Sequence, residues 1–384
     1  MVGMADLCVT GSAGTQPAHH PILATDRADH RAALEVMLLA LVHAQGSDLH
    51  LTAGAPPTIR VHGGLHHLNG YAALEPVDTA ALLRAAVDDE QWRQFEHHHE
   101  LDFAYSIEDV SRFRVNLYLQ RGSCGAAFRM IPHHIKPLHE LGVPDSVARF
   151  AQLPRGLVLV TGPTGSGKTT TLASLLDLAN RTRSAHIVTI EDPIEFLHPH
   201  QRCLVNQREV GADTESFGTA LRHALRQDPD IILVGELRDL ETTSTALTAA
   251  ETGHLVLATL HTQSAAQTID RVIDIFPPHQ QQQVRAQLSL ALQGVVTQAL
   301  CPRADGTGRT IITEIMTATP AIRNLIREGK IHQIPSFMQS GGGAGMLSFD
   351  QHLAERVQHH IISFEQALSL CHSAEEFKRL VGRV

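Results

Sequence analysis

The segment GPTGSGKT at positions 162–169 sets three glycines and a lysine between an all-apolar run at 157–160 and a helix-forming run that begins at Thr169. Few short patterns constrain a fold as tightly. The spacing demands a buried strand, a tight turn and the first turn of a helix, in that order. Backbone N–H groups freed by the glycines then converge at a helix N-terminus, where the partial positive charge favours phosphate oxygens. Gly162, Pro163, Thr164, Gly165, Ser166, Gly167, Lys168, Thr169 and Thr170 are accordingly the predicted nucleotide-binding residues. In this pattern the lysine reaches the β- and γ-phosphates and the Thr169 hydroxyl binds Mg²⁺, so ATP and Mg are the expected cofactors.

Three further apolar runs, at 187–190, 231–234 and 255–260, are continuous rather than alternating, which suits a parallel sheet covered on both faces. Helices predicted over 169–178 and 217–226 fit between them, and the class is α/β. Each run ends in polar residues: Glu191 with Glu195 close by, Gly235-Glu236, and His261-Thr262. Ligands of open α/β sheets bind outside the carboxyl ends of the strands, so these side chains should gather around a triphosphate. Glu236 is a Walker-B-like acid suited to hold the Mg²⁺ shell, partly through water, or to orient water. Glu191 and Glu195 are candidates to polarise an attacking water, and His261 to donate to the γ-phosphate. One acid after a strand is commonly a helix cap; three such strand ends beside one glycine loop favour the catalytic reading.

The rest of the 384 residues divide by texture into five segments. Residues 1–28 lack periodicity and read as a disordered leader. Residues 29–131 read as a small α/β domain, with helices from 31 and over 79–87 and strands at 48–51, 58–61, 113–119 and 125–130. A linker is expected over 132–150, where Pro132, Pro137 and Pro144 fall, then an ATPase core over 151–300 and a helical region over 301–384. Arg114 and Arg129 occupy strand-like positions in the first domain. Each is either half of a buried salt bridge or a finger reaching a nucleotide held by its own domain or a neighbouring subunit. In the tail, Thr319 as N-cap, Pro320 in the first turn and Gly329 at the stop frame a helix. Ile322, Leu325 and Ile326 should form its apolar face, and Arg323 and Arg327 should share a polar one.

Composition removes several alternatives. With 31 basic and 40 acidic side chains the net charge is −9, which leaves no surplus for tracking nucleic-acid phosphates. The longest apolar stretch, 32–44, is too short to span a bilayer, and the amino terminus does not read as a signal peptide. Cys8, Cys124, Cys203, Cys301 and Cys371 are odd in number and widely spaced, the pattern of reduced thiols in a cytoplasmic protein. Adjacent histidines (His66-His67, His97-His98-His99, His133-His134, His359-His360) diverge by about 100° on a helix and alternate faces on a strand. They read as solvated surface rather than a metal site.

Taken with TIEDPIEF at 189–196, NQREV at 206–210, DPDIILVGELRD at 228–239 and LTAAETGH at 247–254, the glycine loop resembles the secretion-ATPase superfamily. Within it, the chain is similar to the retraction ATPases of type IV pili. AIRNLIRE at 321–328 resembles the segment associated with retraction in that family. The resemblance implies a PAS-like N-terminal domain, a RecA-like P-loop NTPase core with a helical C-terminal extension, and a ring of six subunits. It also implies that Arg114 and Arg129 match arginines offered to the γ-phosphate, and that ATP hydrolysis drives pilin removal. The implied partner is an inner-membrane pilus platform protein (PilC-like), so that the motor would be cytoplasmic and peripheral to the membrane only through partners. An accessory retraction ATPase is a near alternative. The extension or type II secretion assembly ATPase is more distant, because Cys301 stands alone where a tetracysteine zinc motif would fall. A RecA-like DNA motor is disfavoured by the charge, and a scaffold without turnover by the intact Lys168, Thr169, Glu236 and His261.

Overall fold

Alternate burial along Ser111–Gln120, with Phe113, Val115 and Leu117 inward and Arg114 outward, is the signature of a sheet with one face covered and one face polar. The computed structural model describes residues 26–61, 63–108, 110–131 and 135–382, and the chain divides into two units between residues 133 and 134.

The first unit runs α1 (Arg27–His43), β1 (Asp48–Leu51), β2 (Thr58–Val61), β3 (Gly64–His67), α2 (Pro76–Ala86), α3 (Asp89–His98), β4 (Glu100–Ile107), β5 (Ser111–Gln120) and β6 (Ser123–Ile131). Its six strands form an antiparallel sheet in the order β3-β2-β1-β6-β5-β4. Leu49, Ile59, Phe113 and Phe128 on the covered face pack with Leu34, Leu38 and Leu41 of α1 and Leu82 of α2. Three elements, β3, α3 and β4, go beyond the sequence reading. The α3 sequence DEQWRQFEHH buries only Phe95, so no apolar stripe announces it; a capping box between Asp88 and Gln91 starts it. The first helix is capped by Asp26 and begins at Arg27, so the end of the expected 1–28 leader is helical. The first 25 residues of that leader, and the pair His133-His134, lie outside the described residues.

The second unit opens with residues 138–152, whose Leu138, Val143, Val147 and Phe150 are buried against the strand and helix of the glycine loop. Most of the stretch expected as linker is therefore core. There follow β7 (Gly156–Thr161), α4 (Lys168–Thr182), β8 (His186–Glu191), β9 (Leu204–Glu209), α5 (Phe217–Ala224), β10 (Ile231–Val234), α6 (Leu240–Glu251), β11 (Leu255–Leu260), α7 (Ala265–Asp274) and α8 (Pro278–Ala291). A seven-stranded sheet in the order β13-β12-β7-β11-β10-β8-β9 is parallel except at its last pair, β12 (Leu292–Pro302) with β13 (Arg309–Thr317). The chain from residue 280 is mostly helical, as expected; these two long strands are what the sequence reading left out. Residues 309–317, RTIITEIMT, are β-branched and almost wholly buried on both faces, so they show neither alternation nor a helical stripe. Helices α9 (Pro320–Glu328), α10 (Ile334–Ser340), α11 (Phe349–Gln358), α12 (Phe364–Leu370) and α13 (Ala374–Val381) complete the unit.

Helix α9 starts at Thr319, whose side chain accepts from the Ile322 N–H, and ends at Gly329 in the left-handed region (φ 70°). Ile322, Leu325 and Ile326 are buried as expected. The two arginines part company. Arg327 is exposed, whereas Arg323 turns back to donate to the carbonyls of Ser289 (2.7 Å), Leu290 (2.6 Å) and Ala318 (2.9 Å) and to the Gln293 side chain (3.1 Å). It thereby satisfies the last carbonyls of α8, which no helical N–H can reach. Arg323→Ala should lower unfolding stability by about 1–3 kcal/mol, the cost of orphaned half-buried acceptors, while Arg327→Ala should stay within about 0.5 kcal/mol. Urea melts of the two variants check this.

Candidate nucleotide-binding site

The second unit's sheet places β7, β11, β10 and β8 side by side, with Val160 opposite Thr259, Leu257 opposite Leu233, and Leu233 opposite Thr189. The carboxyl ends of all four strands therefore lie along one edge. From β7 the chain enters the glycine loop and continues as α4 from Lys168. At Gly162 the backbone sits at φ +142°, and a β-carbon there would lie 2.2 Å from the carbonyl oxygen of Gln298 on β12; only glycine fits. Gln298 also donates from Nε2 to the Ser166 carbonyl (2.8 Å), so one residue of β12 meets the loop twice, by its backbone carbonyl at Gly162 and by its side chain at Ser166.

The loop and strand ends enclose a cavity of about 580 Å³. Thr164, Gly165, Gly167, Lys168, Thr169 and Thr170 contribute to its wall, as do Glu191, Glu195, Glu236 and His261. Gly162, Pro163 and Ser166 do not line it; they brace it from behind. Lys168 Nζ donates to the carbonyls of Gly162 (2.8 Å) and Pro163 (3.1 Å) and stands 3.4 Å from His261 Nδ1. His261 Nε2 in turn lies 3.2 Å from Glu236 Oε1, and Arg238 pairs with Glu236 Oε2 at 2.8 Å. This chain suits the histidine tautomer that accepts at Nδ1 and donates from Nε2.

Burial lowers the Lys168 pKa from its ordinary value, against the pull of Glu236 and Glu195. Burial pushes the Glu236 carboxyl up, but Arg238 and His261 together outweigh it and hold the acid below its usual range. Glu191 is the opposite case. It is 8 % exposed, and burial raises its pKa although it accepts from Thr189 Oγ1 (2.6 Å) and Gln207 Nε2 (3.0 Å). Glu195 is exposed and acts on Lys168 through its charge. The two candidate acids of this loop thus differ in kind, one buried and hydrogen-bonded, the other solvated at the cavity wall. The Thr169 hydroxyl and the Glu236 carboxylate line the same cavity and offer oxygen donors, the type Mg²⁺ prefers. Gln207, Arg238 and Gln298 belong to the site's framework and are not marked in the sequence: a neutral amide in a strand, or one arginine in a loop, carries no pattern of its own.

In the first unit, strand register sets Arg60 opposite Asp48, Asp48 opposite Arg129, and Arg129 opposite Arg114. Asp48 accepts from Arg129 Nε at 2.8 Å and lies 3.8 Å from Arg60. Arg129 is therefore ion-paired, but the pair is buried only on the Asp48 side, since the Arg129 side chain is 72 % exposed. Arg114 lies beside it, also exposed. The two arginines are brought together on the polar face of the sheet, which strand positions alone left open.

The sequence profile of the family described as "Type II/IV secretion system protein" matches residues 138–366. The type IV pilus retraction ATPase PilT of Pseudomonas aeruginosa is 53% identical over 88% of this chain and 98% of its own. The chain belongs to the type II/IV secretion system protein family. Another member, the type IV pilus ATPase PilU of the same organism, is 41% identical over 90% of this chain and 91% of its own. A crystal structure of the pilus retraction motor PilT with bound ADP superposes with a TM-score of 0.84 at 46% identity, covering 90% of this chain and 98% of that one. That family membership accounts for the α/β fold and the RecA-like core.

Asp48 yields a stability test with a definite sign. Its pKa is lowered despite burial, because Ser47 and Arg129 bond to the carboxylate. A depressed folded-state pKa contributes stability that is fully present above the ordinary carboxyl value and is lost as pH falls through the lowered one. Asp48→Asn should therefore cost about 1 kcal/mol at pH 7, and the gap from the parent chain should close below about pH 4. Thermal melts across pH 3–7 measure it.

Proposed function

We propose that this chain is an ATP-hydrolysing motor that powers type IV pilus retraction. The observation that carries the proposal is the continuous contact from Lys168 through His261 to Glu236 and Arg238 at the carboxyl edge of the sheet. It joins the glycine loop, a strand-end histidine and a strand-end acid into one cluster around a cavity of nucleotide size. In this reading Lys168 binds the β- and γ-phosphates, and the loop's N–H groups and Thr170 hold the remaining oxygens. Glu191 or Glu195 polarises the water that attacks the γ-phosphorus, the bond to the bridging oxygen of ADP breaks, and inorganic phosphate leaves. His261 senses the γ-phosphate by donating from the ring that also contacts Lys168 and Glu236. Thr169 and Glu236 hold Mg²⁺, the latter partly through water; when bound, the ion neutralises charge developing on the phosphate oxygens.

The wider assembly follows the relatives. The chain acts as a homo-hexamer in the cytoplasm, at the inner-membrane face, through a pilus platform protein. Arg114 and Arg129 supply positive charge to the γ-phosphate. The domain plan is a PAS-like first domain, a connector and the ATPase core with its C-terminal helices. No described helix is long and apolar enough to cross a membrane. Identity of 53% to PilT against 41% to PilU favours the main retraction motor over the accessory one.

Lys168→Ala should abolish both MgADP binding and ATP turnover, whereas Glu236→Gln should retain binding and lose at least about 99% of kcat. Retained hydrolysis in Lys168→Ala would remove the phosphate-binding assignment. In a retraction-deficient strain the parent chain should restore twitching, Lys168→Ala should not, and Arg327→Ala should impair twitching while purified enzyme keeps its ATPase rate. Piliation without any recovery of twitching by the parent chain sinks the retraction reading.

A further inference from the structure

The segment that carries Glu195, residues 192–198, has no regular secondary structure. An acid on such a loop keeps a productive position only if something else holds it. Strand β9 does so from the sheet edge. Gln207 Nε2 donates to Glu191 Oε1 (3.0 Å) and to the Phe196 carbonyl (2.9 Å), and Gln207 Oε1 accepts from the His198 N–H (2.8 Å). Both amide protons are spent, and the contacts run from Glu191, at the end of β8 just before the loop, to His198 at the loop's far end. Two positions along the same face of β9, Glu209 Oε2 accepts from the Ile194 N–H (3.1 Å). Phe196 and His198 themselves line the nucleotide cavity, so the clamp grips that wall on one side of Glu195 while holding the Glu191 carboxylate on the other.

We infer that Gln207 is a positioning residue for hydrolysis: it fixes the 191–198 loop so that its carboxylates face the attacking water, without touching the nucleotide itself. The phosphates are held by the glycine loop and α4, which Gln207 does not contact. Its loss should therefore slow the chemical step and spare binding, since small displacements of a catalytic group cost rate far more than affinity. The inference rests on the assignment of Glu191 and Glu195 to water activation.

The test uses the purified full-length chain with MgATP as substrate and MgADP as the binding probe. Gln207→Met keeps the volume and removes all three hydrogen bonds. Its kcat should fall about 10- to 100-fold, while KM and the MgADP Kd stay within about threefold and the melting temperature falls by no more than the few degrees that orphaned polar groups cost. Gln207→Glu keeps the acceptor for the His198 N–H but replaces both donors with a charge that opposes Glu191; it should be at least as slow as the methionine variant. Turnover within twofold of the parent in either variant overturns the inference. So does a joint loss of kcat, nucleotide affinity and melting temperature, which would mark Gln207 as a general prop of the fold. Glu191→Gln and Glu195→Gln are measured alongside. If both retain turnover, the water-activation assignment has failed. If either loses it while Gln207→Met does not, only the role of Gln207 has failed.

Discussion

Parallel register is the constraint on which the rest depends. In a parallel sheet every strand ends at the same edge, so residues from four separate stretches of sequence can meet only if those strands keep their pairing. Here Lys168, Glu191, Glu236 and His261 come from four different strand ends, and shifting any strand by one residue would turn its terminal side chain to the opposite face. The pairing is held by residues that leave no room for slippage. Ile187, Val188, Ile231, Ile232, Val256 and Val158 are all fully buried between two helical layers. Gly162 adds a local lock, because β12 presses its Gln298 carbonyl against a loop position where no β-carbon fits.

Charges of both signs are interleaved at that edge. An ammonium, an imidazole, a carboxylate and a guanidinium follow one another, from Lys168 to Arg238. A half-buried lysine alone would be driven toward its neutral form, and burial does lower its pKa. Glu236 and Glu195 counter that shift, and Arg238 keeps Glu236 ionised in turn. The arrangement holds a cation in place with its charge only partly neutralised, the condition for a site that must accept and release a polyanion. Glu191 stands outside this relay. Its partners are a hydroxyl and an amide rather than a cation, so its ionisation answers to hydrogen bonding and burial.

Much of this was legible in the sequence, for a physical reason: buried parallel strands and their polar ends are spelled contiguously. The runs 157–160, 187–190, 231–234 and 255–260 became β7, β8, β10 and β11 with boundaries shifted by no more than a residue or two. What escaped shares a different cause. β9 is a half-exposed edge strand, α3 is polar on nearly every side, and β13 is buried on both faces, so none carries the periodicity of its own type. Residues 138–152 look like part of a linker because Pro132 and Pro137 precede them and Pro144 interrupts them, yet their apolar side chains are spaced to cover α4. Gln207 and Gln298 were invisible for the same reason as most framework residues. Their importance lies in what they face, and facing is a property of the fold.

The same distinction divides AIRNLIRE at 321–328, which reads in sequence as one signature. In the fold, Ile322, Leu325 and Ile326 belong to the core beneath the sheet, and Arg323 closes the end of α8. Only Ala321, Arg327 and Glu328 are exposed, with Asn324 half-buried between them. Glu328 is itself tied to Lys330 at 2.8 Å, and Asn324 Nδ2 donates to it at the same distance. A variant at Leu325 or Arg323 therefore perturbs packing before it perturbs any contact with another molecule. Any direct role of this helix in a partner-facing surface falls to its exposed ridge, where Arg327, which also donates to Asn324, is the one residue that combines reach, positive charge and exposure.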